Sequence, residues 1–221
     1  MSTKNNKKVN YNLFAKTFSA SRSALKWEEI DYFINNYKSN FENKSILDVG
    51  CGSGRLLKSL SIFNNIKYTG IDASSEMINQ AKKEFGNNYF FVLDMEKLDS
   101  IESNFDIVFF IASFHHLDSL EKRELVLKKL KNIINPGSYI FMTNWALSSE
   151  LNKDKYFDSI IKDSKNDFES LDYNIKIGNF YRYYHSFSLK ELEFLFKKTG
   201  YEIIENRLFD NQKNIISIIK N

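Results

Sequence analysis

Cysteine is nearly absent. Cys51 is the only one in 221 residues, so no intrachain disulfide can form and no cysteine-rich metal site can be built. Proline occurs once, at Pro136, which leaves no proline-rich linker. Histidine occurs three times, and metal binding by His115 and His116 would need more ligands than their neighbourhood supplies. No apolar run approaches the roughly 20 residues of a membrane span. The opening "MSTKNNKKVN" lacks the apolar core of a signal peptide, so a soluble cytoplasmic protein without a membrane partner is expected. An excess of one charge is also missing. A net charge of +3 excludes a basic clamp that grips any nucleic acid, although a small sum can hide a local basic face.

What is present is an alternation of apolar runs with helical patterns. Strands are predicted at Ser45–Val49, Lys67–Ile71, Tyr89–Leu93, Phe105–Ile111 and Tyr139–Trp145. Between them, helices are predicted at Arg55–Phe63, Ser74–Phe85 and Ser119–Ile134, the last ended by Pro136-Gly137. Near-continuous apolar strands separated by helices predict an α/β fold with a mainly parallel sheet covered on both faces. Residues 148–174 read as a polar, partly helical insertion. A helix follows from Ser188 to Thr199, with Ser188 and Glu191 at capping-box spacing. Two strands, Tyr201–Leu208 and Asn214–Ile219, are expected as an antiparallel pair at one edge. One domain over residues 1–221 is the simplest partition: 1–44 as N-terminal helices and lid, 45–147 as a cofactor-binding core, 148–187 as insertion and pocket segment, and 188–221 as helix and edge strands.

The first strand runs into "DVGCGSGRLL", which places Gly50, Gly52 and Gly54 at a strand end and helix start. A missing side chain lets backbone approach a ligand, and a helix start offers free N–H groups. Alone, such glycines suit any tight turn. Two further strand ends add to them. "YTGIDAS" carries Asp72 about 20 residues on, where a carboxylate can accept from ribose hydroxyls, and "FVLDMEKL" carries Asp94 next in line.

With these motifs the chain resembles the class I S-adenosylmethionine-dependent methyltransferases, in "LDVGCGSG", "GIDAS", "LDMEKL", "FDIVFFIASFHHL" and "LKKLKNIINPGSYIFMTNW". The resemblance implies a Rossmann-like fold with a seven-stranded sheet and an antiparallel edge hairpin, and S-adenosylmethionine as methyl donor. It implies that Gly50 and Gly52 lie against the methionyl part, Asp72 binds the ribose, Asp94 and Met95 meet the adenine, and Asp48 orients the glycine loop. Cys51, Gly54, Ala73 and Ile111 complete the expected cofactor pocket. Dinucleotide reductases are the competing class, but their second glycine gap is longer than the one in "GCGSG".

The flanking segments resemble, more narrowly, the tRNA methyltransferases that esterify 5-carboxymethyluridine at the wobble position. The matches are Phe18, Ser19, Ser21, Arg22 and Trp27; Ile111, Ala112, His115 and His116; Trp145 and Ala146; and Arg182 to His185, Phe187, Glu191 and Leu192. This resemblance implies a tRNA anticodon loop as substrate and either a small zinc-binding activator protein as a partner, as eukaryotic relatives use, or a free-standing enzyme of bacterial type.

The segment "NFYRYYHSF" can be read in two ways: a strand packed on the sheet edge, or the wall of a site. Alternation puts half of its residues on each face, so packing leaves Arg182 and His185 needing partners. As a site, rings can stack on an unpaired base and arginine offers a planar fork to a carboxylate. Arg22, His115, His116, Arg182 and His185 are the expected catalytic residues, and Tyr11, Trp27, Trp145, Tyr183 and Tyr184 the expected substrate contacts. One of the two adjacent histidines should face the pocket while the other packs against the following helix; the sequence leaves open which. Two readings compete with the tRNA enzyme: a small-molecule methyltransferase, and a non-catalytic binding module.

Overall fold

The computed structural model describes residues 27–221, apart from Asn179 and the side chain of Asn88. The N-terminal lid expected around Tyr11 and Arg22 lies outside the described residues. The strands are β1 (Ser45–Val49), β2 (Lys67–Asp72), β3 (Phe90–Val92), β4 (Phe105–Ile111), β5 (Ile134–Trp145), β6 (Leu171–Ile177), β7 (Phe180–Ser186), β8 (Glu202–Leu208) and β9 (Asn214–Lys220). The helices are α1 (Glu28–Tyr37), α2 (Arg55–Leu60), α3 (Ser75–Phe85), α4 (Leu120–Lys131), α5 (Lys153–Tyr156) and α6 (Leu189–Lys198).

Seven strands form one sheet in the order β3-β2-β1-β4-β5-β9-β8. The first five run parallel, and β9 lies antiparallel between β5 and β8. The α/β fold expected from the alternating pattern is therefore the one observed. Both faces of β4 are buried: Val108 and Phe110 enter one hydrophobic cluster, with Leu127, Leu130 and Leu195, while Ile107 and Phe109 enter another, with Phe33, Phe41 and Phe141. That double burial is why β4 reads as an unbroken apolar run rather than an alternation.

The helix starts are set by side-chain caps. Ser74, Ser119 and Ser188 accept hydrogen bonds from the backbone N–H groups of Met77, Lys122 and Glu191. Only half of the expected capping box forms at Ser188. The side chain of Glu191 turns inward to Arg123 and His185, and Ser188 N–H donates instead to Ser170 Oγ. Pro136-Gly137 does not end α4, which stops at Lys131. The pair sits inside β5, where the register against β4 shifts and Gly137 takes φ +80°. A proline without an N–H is tolerated at such an irregularity.

The segment taken as an insertion holds an unexpected strand, β6, which pairs antiparallel with β7 as a separate two-stranded sheet. Among the described residues no helix is long and apolar enough to cross a membrane.

Candidate active site

Strand order reverses between β1 and β4, so the loops at their C-terminal ends splay and open a crevice there, the position at which such sheets bind ligands. The cavity in this crevice is about 180 Å³ and is lined by Asp48, Gly50, Cys51, Gly52, Asp72, Ala73, Asp94, Met95 and Ile111 among others. The glycine loop has little freedom to be anything else. Gly50 sits at φ +76°, and a Cβ there would fall 2.4 Å from Ser113 Cβ. Gly52, at φ +55°, has open space around it, so its requirement is one of backbone conformation alone. Gly54 does not line the cavity; it is the N-cap of α2, pressed against Phe90.

Asp72, rather than Asp48, ties this loop down. Its Oδ2 accepts from Gly52 N–H at 2.9 Å and its Oδ1 from Ser74 N–H at 2.8 Å. Burial raises the Asp72 carboxyl above its usual range, against the opposing pull of those two N–H groups. Asp48 is turned to Tyr68, whose hydroxyl donates to it at 2.7 Å. Burial lifts its carboxyl to about 7, with the nearby Asp72 charge adding to the rise. Asp94 caps the turn that follows β3 by accepting from Glu96 N–H at 3.0 Å.

The far wall of the crevice comes from two segments distant in sequence. His116, in the turn after β4, and Arg182, on β7, both line it and hydrogen-bond to each other through Nε2 and Nη2. An arginine can only donate, so His116 Nε2 is the acceptor; its Nδ1 carries the proton, which it gives to Tyr183 O at 3.1 Å. His115 is buried behind it. Its Nδ1 accepts from Trp145 N–H at 3.1 Å, which places its proton on Nε2. The two neighbouring histidines are thus held in opposite tautomers, and it is His116 that faces the cavity.

A second cavity, of about 580 Å³, adjoins the first. Trp27 and Ala112 line both, and the second is further walled by Thr143, Trp145, Tyr156, Lys155 and Lys213. Ala112 stands at the joint at φ +52°, a conformation few non-glycine residues adopt, pinned by Thr143 O and Oγ1. Tyr184 is fully buried and stacks on Trp145, with centroids 4.9 Å apart and planes 7° from parallel. It supports the wall of this second cavity from behind.

The remaining expected residues divide by strand parity. Arg182 and Tyr184 turn toward the histidine pair, whereas Tyr183 and His185 turn to the other face of β7. Tyr183 also borders the crevice. His185 does not face a cavity: its Nδ1 meets Asp172 Oδ1 at 2.7 Å and its Nε2 meets Glu191 Oε2 at 2.9 Å. Its expected contact with substrate is replaced by this buried ion cluster. Glu191 is completely buried, yet its carboxyl lies at about 2, because the hydrogen bond and charge of His185 and the charge of Arg123 outweigh the effect of burial.

Four residues of the site were not singled out in the sequence. Arg55 follows the glycine loop directly, lines the crevice and lies over the Trp27 ring at 4.2 Å; its place at the helix start was a usable signal. Ser113 fills the space that Gly50 leaves open. Arg123 and Asp172 carried no signal, since one reads as a solvated helix face and the other as part of a polar insertion. The lysines of α4 are engaged within the chain: Lys128 with Glu124, Lys129 with Asp99, and Lys131 with Gly200 O and Asn221.

Residues 40–207 match the family described as Methyltransferase domain. A protein of Encephalitozoon cuniculi is 26% identical over 196 residues, covering 89% of this chain and 87% of that protein. The tRNA (carboxymethyluridine(34)-5-O)-methyltransferase of Arabidopsis thaliana is 29% identical over 140 residues, 63% of this chain but only 32% of the plant protein. Fungal O-methyltransferases match over 46% and 55% of the chain. Among solved structures, an S-adenosylmethionine-dependent methyltransferase from Clostridium acetobutylicum superposes with a TM-score of 0.66 at 18% identity, covering 95% of this chain and 98% of that one.

Proposed function

We propose a carboxylate on a modified wobble uridine of tRNA as the acceptor, from the premise that this chain belongs to the methyltransferase domain family and takes its methyl group from S-adenosylmethionine. The crevice residues fit that donor: a backbone loop stripped of side chains at Gly50 and Gly52, and a half-buried Asp72 carboxylate at the end of β2. When bound, the donor supplies a methyl carbon made electrophilic by its sulfonium.

The observation that carries the acceptor reading is the joint between the two cavities. Arg182, held against His116, lines the donor crevice, and that crevice shares Trp27 and Ala112 with a chamber walled by Trp145. A carboxylate acceptor, with a reference pKa of about 4, is already ionised at neutral pH and needs no general base. Arg182 can take its second oxygen or a neighbouring phosphate in a bidentate grip and leave the attacking oxygen free. Alignment then supplies the acceleration. A base splayed from an anticodon loop can stack on the Trp145 side of the chamber, and Lys155 and Lys213 are placed to meet phosphates. The substrate of the plant relative, a carboxymethyluridine at position 34 of tRNA, supports the same acceptor. The fungal O-methyltransferases support the alternative, a small-molecule hydroxyl or carboxylate.

The test is incubation with labelled donor and undermodified total tRNA, followed by nucleoside mass spectrometry. A methyl ester on the wobble uridine is expected, with activity that falls as salt rises because phosphate contacts release counterions. Label that enters only small metabolites rejects the tRNA acceptor while leaving the methyltransferase.

A further inference from the structure

The hairpin of β6 and β7 stands outside the main sheet, yet one face of it carries Arg182 to the wall of the donor crevice. Its other face is bound to the body by a closed ring of polar groups, all buried except the half-buried Asp172. Arg123 Nη1 donates to Glu191 Oε1 at 2.9 Å, and His185 Nε2 meets Glu191 Oε2 at 2.9 Å. His185 Nδ1 and the Tyr183 hydroxyl both reach Asp172 Oδ1 at 2.7 Å, and Arg123 Nη2 closes the ring on Tyr183 Oη at 3.3 Å. Arg123 also donates twice to Leu117 O, one residue beyond His116. The ring therefore fastens α4, α6, both hairpin strands and the turn that holds His116.

Its composition is specific. Glu191 accepts from Arg123 and Asn166 and Asp172 accepts from Tyr183, so His185 bridges two acid side chains through its two ring nitrogens. Such a ring holds one geometry, because displacing any member leaves a hydrogen-bonding group of its neighbours without its partner. An apolar contact would let β7 slide. This contact fixes its register to within a hydrogen bond.

We propose that this ring is a positioning device for the active site: by clamping Tyr183 and His185 on the far face of β7, it sets Arg182 on the near face against His116. The acceptor reading enters only in what Arg182 then grips. The clamp itself is open to test without any acceptor.

The three histidines make it visible, because each has different ring partners: His115 accepts through Nδ1, His116 accepts through Nε2, and His185 meets a carboxyl oxygen at each nitrogen. The full chain, labelled with ¹⁵N-histidine, should show these three patterns in its ring nitrogen correlations. Arg182→Ala gives the reference for a His116 that has lost its partner. Glu191→Gln and Tyr183→Phe should move the His116 pattern toward that reference, although Glu191 reaches His116 only through the ring. Leu195→Ala, on the same helix as Glu191 and buried in the apolar core, should lower the melting temperature and leave His116 unchanged. If Glu191→Gln does not fold, Tyr183→Phe, which removes one hydroxyl, decides. An unchanged His116 pattern in the folded clamp variants would overturn the proposal, as would an equal shift in Leu195→Ala. Failure to methylate tRNA would not bear on it.

Discussion

Asp48 and Glu191 are both buried carboxylates, and they lie on opposite sides of one site with opposite fates. Asp48, in the donor crevice, has a neutral phenol as its hydrogen-bond partner and the like charge of Asp72 nearby, and it is pushed up to about 7. Glu191, in the clamp, has Arg123, His185 and Asn166 on its two oxygens and is held at about 2. Burial acts on both in the same direction; the partners decide the outcome. The crevice holds two carboxylates close together, with Arg55 and Arg182 as their nearby cations, an arrangement that the hydroxyls and sulfonium of a donor suit. The clamp is complete in itself, as suits a part that must not move while chemistry proceeds beside it.

The sharpest way to break this contrast is Arg123→Met. It leaves Glu191 and His185 short of one cation in a dry site and should cost about 3–5 kcal/mol, read as a lower denaturant midpoint. On the crevice side, Gly50→Ala forces a side chain into Ser113 from a left-handed backbone and should cost about 3 kcal/mol. Gly52→Ala, with open space, should cost about 1 kcal/mol, and equal losses at the two positions would refute the close-approach account. Arg182→Ala should lower kcat/KM on the proposed RNA acceptor roughly 100-fold, the scale of a misaligned reactant, while changing the melting temperature little. Unchanged turnover would remove Arg182 from the acceptor site.

The smallest effect at neutral pH, and the most informative in slope, belongs to the two carboxylates. The Glu191 carboxyl is lower in the folded chain than in the unfolded one, so its stabilisation is present above pH 4.5 and is lost as pH falls toward 2. The Asp48 carboxyl is raised, so its contribution is present below pH 3.8 and is lost as pH climbs through 7. Melting temperatures across pH 3–8 should lose the alkaline decline in Asp48→Asn and the acid decline in Glu191→Gln.

Much of the donor side was legible in the sequence. β1 and β4 were bounded correctly because both of their faces are apolar, and the glycines and strand-end aspartates were found because a phosphate-free nucleotide crevice still needs bare backbone and a carboxylate at fixed chain positions. Asp48 turns to another partner for a local reason: Tyr68, on the neighbouring strand β2, donates its hydroxyl hydrogen bond to it. The clamp was invisible because its members come from four elements. Arg123 looked like any charge on a lysine-rich helix, and β6 was hidden in a polar stretch whose strand character comes only from its partner. The zinc-binding activator rests on the resemblance alone.

By itself, the order of residues determined the layered α/β architecture, the glycine loop and the aspartates around it, since these follow from hydrophobic period, backbone freedom and spacing along one chain. Tertiary structure alone decided which of two adjacent histidines faces the cavity, and that Arg182 and His185, three residues apart, serve opposite faces of β7. The reason is physical: a proton's place on an imidazole is chosen by whichever donor or acceptor the fold brings to the other nitrogen, and no local sequence contains that partner.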